Sequence, residues 1–124
     1  MNLPETLMEV LKHDGVVAIG TTGPEGQHMV NTWNSYIQVA GDGRLLIPAG
    51  YMQRTEANLA TDPRVLVTLG SSKVRGKNAM GTGFLLEGTG VFVAEGPDFD
   101  VVKSRFKWAR AALAITVASA TQTL

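Results

Sequence analysis

Fourteen glycines in 124 residues cut this chain into short runs, most of them rich in β-branched and aromatic residues. Such punctuation leaves room for short helices only and favours strands joined by tight turns. Val16 to Gly20 is a compact β-branched run, and Gly23-Pro24-Glu25-Gly26 turns it into a long extended segment, Gln27 to Val39. Gly41-Asp42-Gly43 turns again, into Leu45 to Pro48, as in a meander. Val65 to Leu69 reads as a strand closed by Gly70, with Ser71 to Met80 as a polar loop. Thr82 to Val93 is a longer strand in which Gly88 and Gly90 imply bulges or a bend, and Leu113, Ile115 and Val117 alternate as a last strand.

Three short helices complete the pattern. Leu3, Leu7, Met8 and Leu11 recur at helical spacing, with Asn2 as a cap, Pro4 in the first turn and Gly15 as a stop. Arg54 to Ala60 ends at Thr61-Asp62-Pro63, and Gly96-Pro97-Asp98 opens a third helix running to about Trp108, its Asp98 and Asp100 facing the helix dipole. About six strands and these helices predict one domain over residues 1–124, a closed or half-closed β-barrel.

Composition removes several function classes. Eleven basic and eleven acidic residues cancel, so a general electrostatic grip on nucleic acid or anionic membrane is not expected. The absence of cysteine excludes disulfides, thiolate nucleophiles and cysteine-ligated metal or iron–sulfur centres. No apolar run reaches the roughly 18 residues of a membrane span, and the first residues lack a signal pattern, so a cytoplasmic location is expected. The stretch from Gly70 to Asn78 is spaced wrongly for a phosphate loop, and Leu86 stands where a dinucleotide fingerprint after Gly81-Thr82-Gly83 needs glycine. His13 and His28 have no metal spacing around them.

Two segments carry more chemistry. In Gly50 to Leu59, Arg54 and Thr55 sit side by side where a loop enters a helix; free N–H groups and the dipole there suit a phosphate, although Thr55 could equally be a plain cap. In Val30-Asn31-Thr32-Trp33-Asn34-Ser35-Tyr36, polar side chains alternate onto both faces of a strand beside two flat aromatics. That pattern fits either a pocket lined for a ring system or an edge strand that is exposed or buried by a second copy.

These segments, followed by Thr82-Gly83-Phe84, resemble the pyridoxamine-phosphate-oxidase-like FMN-binding split-barrel superfamily. The likeness lies in Arg54-Thr55-Glu56-Ala57-Asn58-Leu59 followed by Pro63-Arg64-Val65. It is strongest towards the small FMN-binding members, through Gly15 to Ile19, Val30 to Tyr36, Phe106 to Leu113 and Gln122-Thr123-Leu124. The resemblance implies a homodimeric, six-stranded, Greek-key-like split barrel with one FMN per subunit near the dimer interface. It places Asn31, Thr32 and Trp33 on the strand lining the flavin, Ala49 and Gly50 beside the ring, and Arg54 and Thr55 on the phosphate. Thr82, Gly83, Trp108 and Leu124 are implied near the isoalloxazine, Trp108 and Leu124 from either subunit. Arg54 replaces a lysine of the small members, keeping the charge, and Ala49 and Tyr51 depart from their Val-Gly-Gly stretch. The implied activity is electron carriage to or from a redox partner protein or small reductant; a nicotinamide-dependent flavin reductase and a non-flavin barrel are the alternatives. No residue presents itself as a required acid, base or nucleophile. From Ala111 to Leu124 no side chain is charged, so that tail is expected to be buried in a homodimer, with Leu124 near one subunit's flavin.

Overall fold

The computed structural model describes residues 2–124. Seven antiparallel strands form one sheet in the order β2-β1-β5-β6-β7-β4-β3. The strands are β1 (Val16–Gly23), β2 (Gly26–Trp33), β3 (Gln38–Val39), β4 (Leu45–Ala49), β5 (Arg64–Arg75), β6 (Met80–Val93) and β7 (Ala111–Gln122). The helices are α1 (Glu5–Val10), α2 (Gln53–Thr61) and α3 (Pro97–Arg105). Side chains alternate across a strand, and the inward set meets in one cluster: Val17 and Ile19 from β1, Ile47 from β4, Val67 and Leu69 from β5, Leu86 from β6, Leu113 and Ile115 from β7. A sheet whose strands share one core must curl on itself. Its edge strands β2 and β3 do not pair with each other, so the barrel is split between them. The β5–β7 meander is inserted between the two hairpins, which makes β1 the neighbour of β5 and β4 the neighbour of β7.

The strand count is seven rather than six, because Gln27–Val39 does not run as one strand. It breaks at Asn34, which starts a single 3-10 turn, Asn34–Tyr36. The buried Asn34 amide donates to the carbonyls of His13 (3.1 Å) and Gly70 (3.0 Å), and Asn34 N–H donates to the Gly15 carbonyl (2.9 Å). Those bonds pull the chain inward and end β2. Its polarity therefore serves the end of the barrel rather than a pocket.

Three further expectations change. Asn2 does not cap α1: Pro4 holds the N-cap position with no side-chain bond. The expected loop 71–80 is strand as far as Arg75, because β5 and β6 continue as a solvated hairpin past the core, Ser71 opposite Thr82 and Arg75 opposite Met80. Finally, α3 stops at Arg105, because Lys103 Nζ reaches forward to the carbonyls of Lys107 (2.6 Å) and Ala109 (2.8 Å) and turns the chain. Among the described residues no helix is long and apolar enough to cross a membrane.

The uncharged tail is covered largely by its own chain. β7 lies between β6 and β4, its inner residues join the main core, and Ala112 and Ala114 pack with Leu46, Val102 and Ala109 in a second cluster under α3. Burial of this strand needs no second copy. Only beyond Val117 does the tail emerge, and Leu124 ends with an exposed side chain.

Candidate functional site

The start of α2 has polar groups without partners among the described residues. Met52, its N-cap, adopts φ 72° and ψ 31°, a left-handed conformation that an L side chain adopts at a cost of roughly 1–2 kcal/mol. Among the described residues no side chain caps the helix, so the alternative reading of Thr55 as a plain cap does not hold. Thr55 is fully buried in the first turn, and its Oγ1 has no hydrogen-bond partner among the described residues. The backbone N–H groups of residues 51 to 55 likewise meet no acceptor among them; the ladder begins with Glu56 N–H to the Met52 carbonyl (2.9 Å). Arg54 is exposed beside them and forms no ion pair among the described residues. Free donors, a positive dipole end and a guanidinium are the groups that suit an anion.

A cavity of about 310 Å³ opens across the split of the barrel. One wall is β2 with its following turn (Asn31, Thr32, Trp33, Tyr36); the other is the end of β4 and its loop (Pro48, Gly50, Tyr51, Met52), with Trp108 against it. The short β3 leaves this end of β4 unpaired on its outer side, which is why the gap exists. Tyr36, Phe106 and Trp108 form an aromatic cluster with centroid distances of 5.0, 5.9 and 5.7 Å. The cluster presses the indole of Trp108 against Gly50, where a Cβ would come within 3.1 Å of the ring. A side chain there would push the indole outward by a few tenths of an ångström. Asn31 is held by donating to the Val17 carbonyl (3.2 Å), Thr32 is buried, and Trp33 is 45% exposed.

Of the residues singled out from sequence, Asn31, Thr32, Trp33, Gly50 and Trp108 share this cavity, while Arg54 and Thr55 follow directly from its Gly50–Met52 wall. Ala49 is fully buried as the last β4 residue and does not line it. Thr82, Gly83 and Leu124 lie elsewhere. Thr82 Oγ1 donates to the Leu124 carbonyl (2.9 Å) and accepts from Gln122 Nε2 (3.0 Å), while the Gly83 carbonyl accepts from Thr123 N–H (2.8 Å). Within one chain these three residues anchor the tail. Thr82 and Leu124 line a separate cavity with Asp14, Lys77 and Asn78.

Arg110 was missed from sequence. It donates to the carbonyls of Gly50 (3.0 Å) and Tyr51 (2.8 Å) and to Glu56 Oε1 (2.8 Å). Its place as the last charged residue before an uncharged stretch was the available signal.

Comparison with known proteins adds to this geometry. The chain matches the family described as pyridoxamine 5'-phosphate oxidase over residues 3–123. It belongs to that family. It is 59% identical over 122 residues, 98% of this chain and 99% of the relative, to the FMN-binding protein of Nitratidesulfovibrio vulgaris (strain DSM 19637 / Miyazaki F). HupZ of Group A Streptococcus shares the fold at TM-score 0.79 and 11% identity, over 98% of this chain and 94% of that one. An FMN-binding protein of Syntrophomonas wolfei subsp. wolfei does so at TM-score 0.67 and 15% identity, over 87% and 76%.

Proposed function

We propose that the chain is an FMN-binding protein that carries electrons. The observation behind this reading is the α2 start, where a fully buried Thr55 hydroxyl and consecutive N–H groups lack partners beside Arg54. Arg54, Thr55 and those N–H groups would hold the phosphate; Trp33, Gly50 and Trp108 would hold the ring across the split. The high identity to a relative named FMN-binding protein supports the same cofactor. FMN when bound supplies reversible electron transfer, and the chain's part is to bind, orient and shield it. Electron carriage asks no acid or base of the lining, which among the described residues has no carboxylate, histidine or lysine.

The reading includes a homodimer. Val16 pairs with Trp33, and Gly20 lies between Met29 and Leu66, so four exposed apolar side chains share one outward face of β2-β1-β5 that is continuous with the cavity. A second copy on that face would shield it and could bring Leu124 to the partner's flavin.

An absorption spectrum of freshly purified protein tests the cofactor: a flavin spectrum released with FMN is expected, and colourless protein that fails to take up FMN overturns the reading. Rapid reduction by a nicotinamide nucleotide would point instead to a reductase. Trp33→Phe should lengthen the excited-state lifetime of bound flavin, whereas an unchanged lifetime would put the indole away from the ring. Sedimentation at dilute concentration tests the dimer, and a monomer would exclude it.

A further inference from the structure

Arg110 lines neither wall of the cavity, yet its guanidinium sends three bonds into the segment that leads to the α2 start. The Phe92 ring lies 5.8 Å below its central carbon, and its own N–H donates to the Ala49 carbonyl (2.9 Å), so the group is fixed from both sides. Peptide geometry then decides what lies opposite. In a trans peptide the carbonyl and the next N–H point opposite ways. Holding the carbonyls of Gly50 and Tyr51 towards Arg110 therefore turns the N–H groups of Tyr51 and Met52 away from it. Those are the first two of the consecutive free donors, and Met52 is the residue in the left-handed conformation.

The third bond concerns charge. Glu56, in the first turn of α2, is the carboxylate nearest in sequence to Arg54 and Thr55. Left unpaired, a carboxylate there reaches back to free N–H groups and repels an incoming anion. Its bond to Arg110 occupies it.

We propose that Arg110 is a positioning residue that keeps the α2 start open for phosphate, by fixing the Gly50–Met52 backbone and by engaging Glu56. This rests on the FMN reading and adds the source of its preference for a phosphorylated flavin.

The test compares dissociation constants for FMN and riboflavin in the full-length wild type, Arg110→Ala, Glu56→Gln and the double variant, with melting temperatures as the fold control. Arg110→Ala should lose roughly tenfold in FMN affinity and change little for riboflavin. Adding Glu56→Gln should recover part of the FMN loss and none of any riboflavin loss, which a purely structural role would not produce. Should Arg110→Ala not fold, Arg110→Lys, which keeps the charge but cannot reach both carbonyls and Glu56 as a planar fork, should show the reduced FMN preference. An FMN-to-riboflavin ratio equal to wild type in every folded variant overturns the proposal, as does failure of Glu56→Gln to restore FMN. Wild type that binds no FMN overturns the function reading instead. Arg110 is then decided by inorganic phosphate alone, which should raise the melting temperature of wild type and not of the alanine variant.

Discussion

Helices α2 and α3 have nine residues each and begin with different residue types and charges. The start of α3 has no side-chain cap among the described residues either, but its residue types suit a helix start. Gly96 is its N-cap, Pro97 has no N–H to satisfy, and Asp98 and Asp100 lie in its first turn with Lys103 and Arg105 in its last. Asp98 is gripped by Arg44 through two bonds, of 2.6 and 3.1 Å. At α2 the positive φ falls on a residue other than glycine, and the charges are placed differently. The N-cap is left-handed, the first turn contains a cation, its one acid is engaged by Arg110, and no basic residue lies in the last turn. What sets α2 apart is a non-glycine residue held at positive φ and a fully buried hydroxyl with no partner among the described residues, two local costs of the kind that collect at binding sites.

Two substitutions should break this asymmetry. The larger effect belongs to Arg54→Ala. FMN carries about −1.5 to −2 at neutral pH, and a charge-assisted bond contributes about 1.5–3 kcal/mol, so FMN affinity should fall roughly 10- to 150-fold with riboflavin little changed. Equal losses for both ligands would show that Arg54 does not hold the phosphate. Thr55→Val should have opposite signs in two measurements. Removing an unpaired buried hydroxyl while keeping the shape should stabilise the ligand-free protein by about 1 kcal/mol, raising its melting temperature a few degrees. Losing the same hydroxyl should weaken FMN binding about 5- to 10-fold. A Thr55→Val protein that is less stable without ligand would mean that the hydroxyl already has an internal partner.

The site was legible in sequence to the extent that its residues are local. Trp33 and its neighbours, Gly50, and the pair Arg54-Thr55 each sit in a short segment whose chemistry shows in one dimension. Arg110 was not legible, because its role is set by carbonyls some sixty positions away in sequence, and carbonyls leave no mark on residue type. Asn34 misled for a related reason: a polar residue on the inner face looked like pocket lining, but it satisfies carbonyls at the barrel end. The resemblance grouped Thr82, Gly83 and Leu124 with the ring, whereas in one chain they tie the tail to β6. The β-character, the glycine turns and three helix positions followed from periodicity, while the split between β2 and β3 depended on where Asn34 ends a strand.

The smallest effect expected is also the control on the whole comparison. The Arg44 guanidinium, through its hydrogen bonds, holds the carboxyls of Asp98 and Asp42 below their ordinary values, and both carboxylates hold Arg44 above its own. A carboxyl whose folded value is depressed contributes stability that is complete above its unfolded value, near 3.9, and is lost as pH falls through the lower folded value. The side chains of Arg44 and Asp98 are 30% and 28% exposed, so solvent screens the pair and its worth is at most about 1 kcal/mol. Asp98→Asn should therefore lower the melting temperature by no more than a few degrees at pH 7. The gap from wild type should persist down to about pH 5 and close as acid protonates Asp98 in the folded wild type. Thermal melts across that range, with FMN titrations at neutral pH, measure both halves. Flavin affinity should not move, since Asp98 and Arg44 line a different cavity from the one at the split. A gap that widens in acid would refute the ion pair, and a loss of FMN affinity in Asp98→Asn would show that the two helix starts are coupled rather than independent.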